Sequence, residues 1–246
     1  MTRFAHLKRF MAALSVVGSV VAYSATPAEA AFVLRIDDDG VCTGPITCDV
    51  WMTDLTGPPY SPLVFIGSVG NFVVNVATGV DLNPSNPQVD AIDLNSVDVA
   101  VAPGGSLLIE LSGTGFDDDN SPAGGILSWL WGGTVVNGTA YGRGCKDPGN
   151  ELFTCGGAGF SSGILGPETG AFAETGSVTH GALTGPYAMY VSVLFTAYGE
   201  SDYSGNFRLQ DASVPEPGSM ILLGTGLVGL ARTARRRLQK ARATQV

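Results

Sequence analysis

The chain has 246 residues, a formal net charge of −9 and 45% hydrophobic residues, and it contains 34 glycines. Most Lys and Arg residues lie at its two ends. Between Ala31 and Leu230 there are 4 cations against 21 acids, a net charge of −17. Such an acidic body cannot neutralise phosphates, which excludes nucleic acid as a partner. The high apolar fraction excludes a disordered acidic chain and predicts a folded, turn-rich body.

Residues 1–30 have the pattern of a secretory signal peptide. Arg3, Lys8 and Arg9 form a basic region, and a helical apolar run follows from Met11 to Ala22. Residues 28–30 then give a small-x-small cleavage site for signal peptidase. The alternative, an anchor that stays in the membrane, is disfavoured because the run is short for ~30 Å of hydrocarbon.

Residues 31–212 are predicted to form one β domain, because apolar residues recur with period two rather than 3.6. Phe72, Val74 and Val76, for example, fall on one face of a single strand. The predicted strands are 32–36, 47–52, 63–66, 71–76, 97–101, 106–111, 125–131, 139–143, 151–154, 188–198 and 206–210. This number of short strands predicts an all-β, antiparallel, jelly-roll-like β-sandwich.

One turn signal stands out within this body. Asn137-Gly138, between Val136 and Thr139, is typical of a two-residue type I′ turn. It predicts a hairpin whose two arms are Val135-Val136 and Thr139-Ala140-Tyr141.

The four cysteines are predicted to form disulfides, because an even count in an exported chain favours them. Cys42 and Cys48 are six residues apart, and Cys145 and Cys155 are ten apart. Neither spacing is typical of a zinc site. Sequential pairing would close two short loops, although four cysteines allow three connectivities, and free thiols remain the alternative.

Two acidic triplets each follow a strand-like segment and begin a loop: Asp37, Asp38 and Asp39, then Asp117, Asp118 and Asp119. Carboxylate oxygens in a loop are ligands that Ca²⁺ prefers. Neither triplet has the alternating spacing of known calcium loops, so solvated turn residues are the favoured interpretation. The sequence therefore predicts no firm metal site and no cofactor.

The sequence also allows two hydrolase hypotheses. His180 is the only histidine outside the signal peptide and could serve a Ser-His-Asp triad, but no G-x-S-x-G segment marks a nucleophile. A glycosidase pair could be drawn from five carboxylates: Glu110, Glu151, Glu168, Glu174 and Glu200. Neither pattern is specific, and a non-enzymatic protein is predicted.

Four aromatic residues are candidates for a platform on which sugars stack: Trp129, Trp131, Tyr141 and Tyr187. Core positions are the favoured interpretation of these residues, since tryptophan in a sandwich is usually buried.

The C-terminal residues 213–246 contain three segments in a fixed order. Val214, Pro215, Glu216, Pro217 and Gly218 come first, and the prolines stop any strand. An apolar run from Met220 to Ala231 could enter a bilayer as a helix. Arg235, Arg236 and Arg237 then hold the end in the cytoplasm.

This tail resembles the PEP-CTERM sorting domain, which an exosortase, a membrane-embedded cysteine peptidase of Gram-negative bacteria, recognises. The resemblance implies a membrane-anchored precursor that is cut near Pro215–Pro217 and delivered to the cell surface or to extracellular polysaccharide. The body also resembles bodies that precede this tail in other exported proteins, at 67–76, 93–97, 109–112 and 185–187. That second resemblance implies no activity.

Together these features predict an exported surface or matrix protein, sorted through its tail and associated with exopolysaccharide. The expected partners are signal peptidase, an exosortase-type peptidase and, transiently, the membrane. The alternatives are a secreted β-sandwich hydrolase and a calcium-dependent adhesin.

Overall fold

A computed structural model describes residues 31–39, 42, 47–56, 60–82, 89–116, 124–156, 160–183, 185–213, 224–229, 232 and 235. The predicted signal peptide, the triplet Asp117–Asp119, the segment Val214–Gly218, Arg236 and Arg237 lie outside these residues. Nine antiparallel strands form the described body, so the predicted all-β class is confirmed. They are β1 (Phe32–Asp37), β2 (Val50–Asp54), β3 (Val64–Val69), β4 (Phe72–Leu82), β5 (Val89–Val101), β6 (Gly105–Phe116), β7 (Gly125–Asp147), β8 (Ser161–His180) and β9 (Tyr187–Ser213).

The strands form one sheet in the order β2-β1-β6-β9-β5-β4-β3, while β7 pairs with β9 and β8 pairs with β7. β9 is long enough to have two neighbours along one edge: its residues 187–197 pair with β6 and its residues 201–212 pair with β5. β7 follows the whole of β9 along the other edge. The three long strands β7, β8 and β9 therefore run through both halves of the sheet.

The sheet folds over on itself along a crease that crosses these long strands. Layer I consists of β2, β1, β6 and one part of each long strand: residues 187–197 of β9, 138–147 of β7 and 161–168 of β8. Layer II consists of β3, β4, β5 and the other part of each long strand: residues 201–213 of β9, 125–136 of β7 and 170–180 of β8. The two layers face each other as a sandwich.

Close approach between the layers is visible within single strands. A Cβ added at Gly142 would lie 2.9 Å from the Trp131 ring, although both residues belong to β7. In β9, the rings of Phe195 and Tyr203 stack at 5.8 Å across the crease. The core is thus one cluster to which both layers contribute.

The hairpin predicted at Asn137-Gly138 is wrong, because β7 passes through these residues at the crease without reversing. Asn137 does have a positive φ of 52°, as the turn signal requires. However, β7 continues in the same direction, because its partner β9 bends beside it: Asn137 Nδ2 donates to the Glu200 carbonyl at 3.0 Å. The motif makes a corner in one strand instead of a turn between two.

Three other strand predictions also need correction. The segments 188–198 and 206–210 are parts of the single strand β9, because β9 also continues through the crease. Residues 151–154 form turns within a disulfide loop rather than a strand. β8 was not among the predicted strands, because Gly, Ser, Thr and Ala dominate it and weaken the apolar alternation.

A substitution at Gly133 on β7 would test the close packing of β7 against β9 in layer II. A methyl group there would lie 2.3 Å from the Ser204 carbonyl oxygen, and the backbone would have to shift. We expect Gly133→Ala to lower the free energy of unfolding by about 1–3 kcal/mol, measured by denaturant unfolding. Gly79→Ala is the matched control, because its nearest atom is Asp93 Cβ at 3.4 Å; equal effects in both variants would contradict this packing.

Candidate functional site

A buried charge cluster lies at the open end of the sandwich, opposite the crease. Lys146 on β7 is 0% exposed, and its Nζ donates to Asp211 Oδ2 on β9. His180, the last residue of β8, bonds through Nε2 to Asp211 Oδ1 at 2.8 Å. Lys146, Asp211 and His180 are called the Lys146 cluster below.

Aromatic and acidic groups extend the Lys146 cluster. Lys146 Nζ lies 3.5 Å from the centre of the Tyr187 ring, an arrangement that stabilises a cation. The Tyr187 hydroxyl in turn donates to Asp90 Oδ2 at 2.7 Å. Two cationic groups and two carboxylates therefore meet inside the fold, so that a fully buried ammonium is compensated.

His180 does not have the geometry of a catalytic base. Its Nδ1 lies 2.9 Å from the Gly181 carbonyl oxygen and its Nε2 faces an Asp211 carboxylate oxygen. Both partners accept hydrogen bonds, so this geometry favours the doubly protonated imidazolium over the neutral ring. A general base needs a free lone pair, so the triad hypothesis for His180 is not supported.

The electrostatics of the Lys146 cluster agree with a protonated His180. Burial and the nearby Lys146 charge lower the pKa of the imidazole, but the hydrogen bonds to Asp211 and Gly181 raise it above the ordinary 6.5. Burial raises the pKa of Asp211, whereas its bond with His180 and the charge of Lys146 bring the pKa below the ordinary 3.8. Both shifts favour the charged forms.

A second polar cluster lies on the outer face of layer I. Arg35 on β1 pairs with Glu110 on β6, and the Tyr190 hydroxyl on β9 also donates to Glu110. Their side chains are largely buried because a loop covers them. The burial of Tyr190, followed by the neighbouring Glu110 charge, raises the pKa of its phenol.

The covering loop is closed by the disulfide between Cys145 and Cys155, whose Cα atoms are 5.5 Å apart. The loop places the Phe153 ring 3.7 Å from the Arg35 guanidinium carbon. Phe153 has a φ of 58°, a costly conformation for an aromatic residue, and its N–H donates to Ser112 Oγ at 3.1 Å. The disulfide thus holds a strained cap over the Arg35–Glu110 pair.

The predicted sequential disulfides are both present. Cys42 and Cys48 are bridged with a Cα–Cα distance of 4.8 Å, and no described cysteine is free.

Three of the five carboxylates proposed for a glycosidase pair, Glu110, Glu168 and Glu174, are engaged in contacts that do not suit this reaction. Glu110 is engaged by Arg35 and Tyr190. Glu168 and Glu174 do meet on the inner side of β8, where burial, followed by the hydrogen bond and charge of Glu168, raises the pKa of Glu174. Carboxyl groups that share a hydrogen bond are closer than the roughly 5–9.5 Å that glycoside hydrolysis uses.

The four aromatic candidates do not form a platform. Trp131 and Tyr187 are buried in the core, 0% and 1% exposed. Trp129 is half-buried and covers Gly176 of β8. Tyr141 alone of the four lies on the outer face of layer I, where it is half-exposed.

The Asp37–Asp39 triplet is not arranged as a calcium site. The Asp39 N–H donates to Asp37 Oδ1 at 3.1 Å, and the Asp38 N–H donates to Asp49 Oδ2 at 3.0 Å. Within the described ranges, no group of three or more His, Cys, Asp or Glu side chains could hold a metal ion.

The polar residues that organise this fold were missed in the sequence. Lys146, Asp211 and Arg35 look like ordinary solvated charges when read singly. One feature of the sequence could have drawn attention to the two cations. Arg35 and Lys146 are two of only four cations between Ala31 and Leu230. Arg35 lies within the predicted strand 32–36, whereas Lys146 lies outside every predicted strand.

The tail is described only in part. Residues 224–229 are helical and exposed, and residues 232 and 235 are also helical. Among the described residues, the structure contains no helix with the length and apolarity needed to span a membrane.

The model of the PEP-CTERM protein-sorting motif matches residues 213–237. The chain therefore carries a PEP-CTERM protein-sorting motif. This motif indicates an exported protein that an exosortase processes. The match begins at Ser213, the last residue of β9, so the body and the motif adjoin without overlap beyond that residue.

No curated protein sequence matches the chain. Several solved structures share a limited likeness with the chain. TmCBM61 in complex with β-1,4-galactotriose is 14% identical, with a TM-score of 0.29 over 58% of this chain and 90% of its own. TmCBM27, a carbohydrate-binding module that recognises mannan, is 12% identical, with a TM-score of 0.25 over 62% and 99%. The enzymatically active domain of bacteriophage CBA120 tailspike protein 4 is 12% identical, with a TM-score of 0.30 over 57% and 20%. These scores are too low to support an argument about ligand or activity.

The Lys146 cluster predicts how stability depends on pH. Because the folded pKa of His180 is raised, its contribution is complete below the unfolded pKa of 6.5 and is lost as the pH rises through the folded pKa. Asp211 acts oppositely: its contribution is present above 3.8 and is lost as the pH falls through its lowered pKa. We therefore expect the free energy of unfolding to be highest between these values and to decline above pH 6.5.

His180→Gln is the matched variant, because an amide can still donate to Asp211 without titrating. Denaturant unfolding of this variant should show a flatter pH profile above 6.5 than the native protein. His180 is the only histidine after residue 30, which isolates its effect. A native profile that rises from pH 6.5 to 8, or identical slopes in both proteins, would contradict a protonated His180.

Proposed function

We propose that the chain is a non-enzymatic cell-surface or extracellular-matrix protein whose β-sandwich body is released when an exosortase-type peptidase cuts near Pro215–Pro217. The observation that carries the proposal is the sorting motif at residues 213–237. Before release, the tail holds the precursor at the membrane. After release, the body associates with extracellular polysaccharide.

The position of the motif supports release without damage to the body. β9 is flanked by β5 and β7 up to Ala212, so the last strand is a central one and its pairing is complete before the tail begins. Pro215 and Pro217 cannot extend that ladder, since proline has no N–H to donate. A cut beyond Ser213 therefore removes no described strand.

The state of the ionisable groups supports a non-enzymatic body. His180 and Lys146 both bond to Asp211, and Glu110 is held by Arg35 and Tyr190 beneath a disulfide-closed loop. Groups held this way stabilise a fold. Both disulfides also suit an oxidising, extracellular setting.

The outer face of layer I near the crease is our candidate for polysaccharide contact. Tyr198 is 65% exposed, and its hydroxyl lies 3.2 Å from Thr139 Oγ1. Tyr141 lies two residues beyond Thr139 on the same face of β7. Exposed rings beside hydroxyl groups offer a stacking surface and hydrogen bonds to a sugar. The acidic body favours a neutral polysaccharide over an acidic one.

Changing Pro215-Glu216-Pro217 to three alanines tests the sorting proposal. We expect the body to fold normally but to remain with the membrane, because the peptidase site is lost. Membrane and medium fractions would be compared by immunoblot, and the mature ends would be identified by mass spectrometry.

The matched control replaces Arg235, Arg236 and Arg237 with lysine, which preserves the positive charge and should leave release unchanged. Cells that lack the sorting peptidase should resemble the triple-alanine variant. Normal release from either would refute processing at this motif.

Tyr198→Ala tests the polysaccharide contact. We expect the released variant to lose most of its retardation in affinity electrophoresis through neutral exopolysaccharide from the producing cells, because one stacking surface is removed. Ile66→Ala, at a 77% exposed position in layer II, is the control and should behave as the native protein. Equal retardation of all three proteins, or none for the native protein, would contradict a contact at Tyr198.

A further inference from the structure

β8 forms a long edge of the sheet. It pairs with β7 on one side, and within the described part of the chain no strand pairs with its other side. Such an edge presents a row of N–H and C=O groups that can accept another strand. β2 and β3 are also edges, but they have only 5 and 6 residues, against 20 in β8.

The two parts of β8 differ in how well their edge is protected. In residues 161–170, Gly163, Gly166 and Gly170 have positive φ values, Pro167 lacks an N–H, and the register to β7 shifts. Residues 171–180 have none of these features: their register to β7 is continuous from Ala171 to His180. This second segment contains no Lys, Arg or Pro, which are the usual means of keeping an edge from pairing.

The core is also incompletely covered along this edge. Phe172 and Val178 point to the inner side of layer II, where they pack against the core but remain half-exposed. The Phe172 ring is fixed against Trp131, with centroids 4.6 Å apart. An added strand would therefore gain apolar contacts as well as backbone hydrogen bonds.

We propose that residues 171–180 of β8 pair antiparallel with the same segment of a second copy of this chain, about a two-fold axis at Thr175. This register places Phe172 opposite Val178 of the second copy, and Val178 opposite its Phe172. Aromatic and β-branched residues form favourable cross-strand pairs, and the symmetry provides two. Glu174, the only acidic residue in the segment, then faces Gly176 of the second copy.

Neighbouring registers are less favourable. An axis at Glu174 would place the two carboxylates directly opposite each other, which is destabilising. An axis at Gly176 would put Glu174 opposite Val178 and Phe172 opposite His180. Only the axis at Thr175 combines both apolar pairs with a small residue facing Glu174. This complementarity of the segment with itself is why we assign a second copy as the occupant.

The irregular part of β8 limits the assembly. Because residues 161–170 cannot continue a regular ladder, pairing stops at the crease and joins layer II of one copy to layer II of the other. Each copy has one such segment, so the result is a closed dimer rather than a fibre.

Thr175→Lys and Thr175→Glu test this register in the released protein purified from culture medium. Thr175 is exposed on the outer face, so neither change should affect the melting temperature. Sedimentation equilibrium should show a dimer for the native protein and roughly tenfold weaker association for each variant, because like charges then face each other at the axis. An equimolar mixture of the two variants should recover dimers, since lysine then faces glutamate.

Ser204→Lys is the matched control, because it adds the same charge on the outer face of layer II but on the central strand β9. It should associate as the native protein does. A native protein that stays monomeric, a Thr175→Lys variant that dimerises normally, or a mixture that stays monomeric would each overturn the proposal. None of these results bears on cleavage of the tail, which is measured separately by release.

Discussion

The hydrogen-bonded ladder between β7 and β9 is the constraint on which the rest of the structure depends. It runs from Gly125 opposite Ser213 to Asp147 opposite Ala188, with one irregularity at the crease. Because both strands bend at the same point, each passes from layer II to layer I without leaving its partner. The bend needs a positive φ at Asn137 and close backbone contact at Gly133 and Gly138. Every other described strand is positioned by pairing to one of these two, either directly or through one or two intervening strands.

A folded sheet of this kind has an open end opposite the crease, and the Lys146 cluster lies there. The strands β7, β8 and β9 each bring one charged residue to that end: Lys146, His180 and Asp211. Buried charges stabilise a fold only when they compensate one another and their hydrogen bonds are satisfied. A methyl group at Gly125 would lie 2.6 Å from His180 Nε2, so glycine leaves the space that the cluster occupies. On the outer face of layer I, Arg35 and Glu110 likewise compensate each other, and the Cys145–Cys155 loop covers them.

The sequence predicted the all-β class and most strand positions, because period-two alternation reports directly which side chains face a core. β4 and β6 were recognised in this way, and the disulfides followed from an even cysteine count. The connectivity of the long strands was not predictable. Asn137-Gly138 has the same local chemistry in a hairpin and in a corner, and only the neighbouring strand β9 decides between them. Likewise, no local pattern could show that Lys146 and Asp211, 65 residues apart, neutralise each other. The tail was recognised most specifically, since its three segments are contiguous in the chain.

The position of the tail relative to the Lys146 cluster connects the fold with the sorting process. Asp211 lies two residues before Ser213, so the chain leaves the body beside the buried charges of the Lys146 cluster. If Asp211 depended on a partner from the tail, a cut near Pro215–Pro217 would leave an unpaired carboxylate in the interior, which is among the costliest defects a fold can carry. Its partners instead come from β7 and β8, which remain in the body after the cut. Under the processing proposed above, the body would therefore keep these contacts both before and after a cut near Pro215–Pro217.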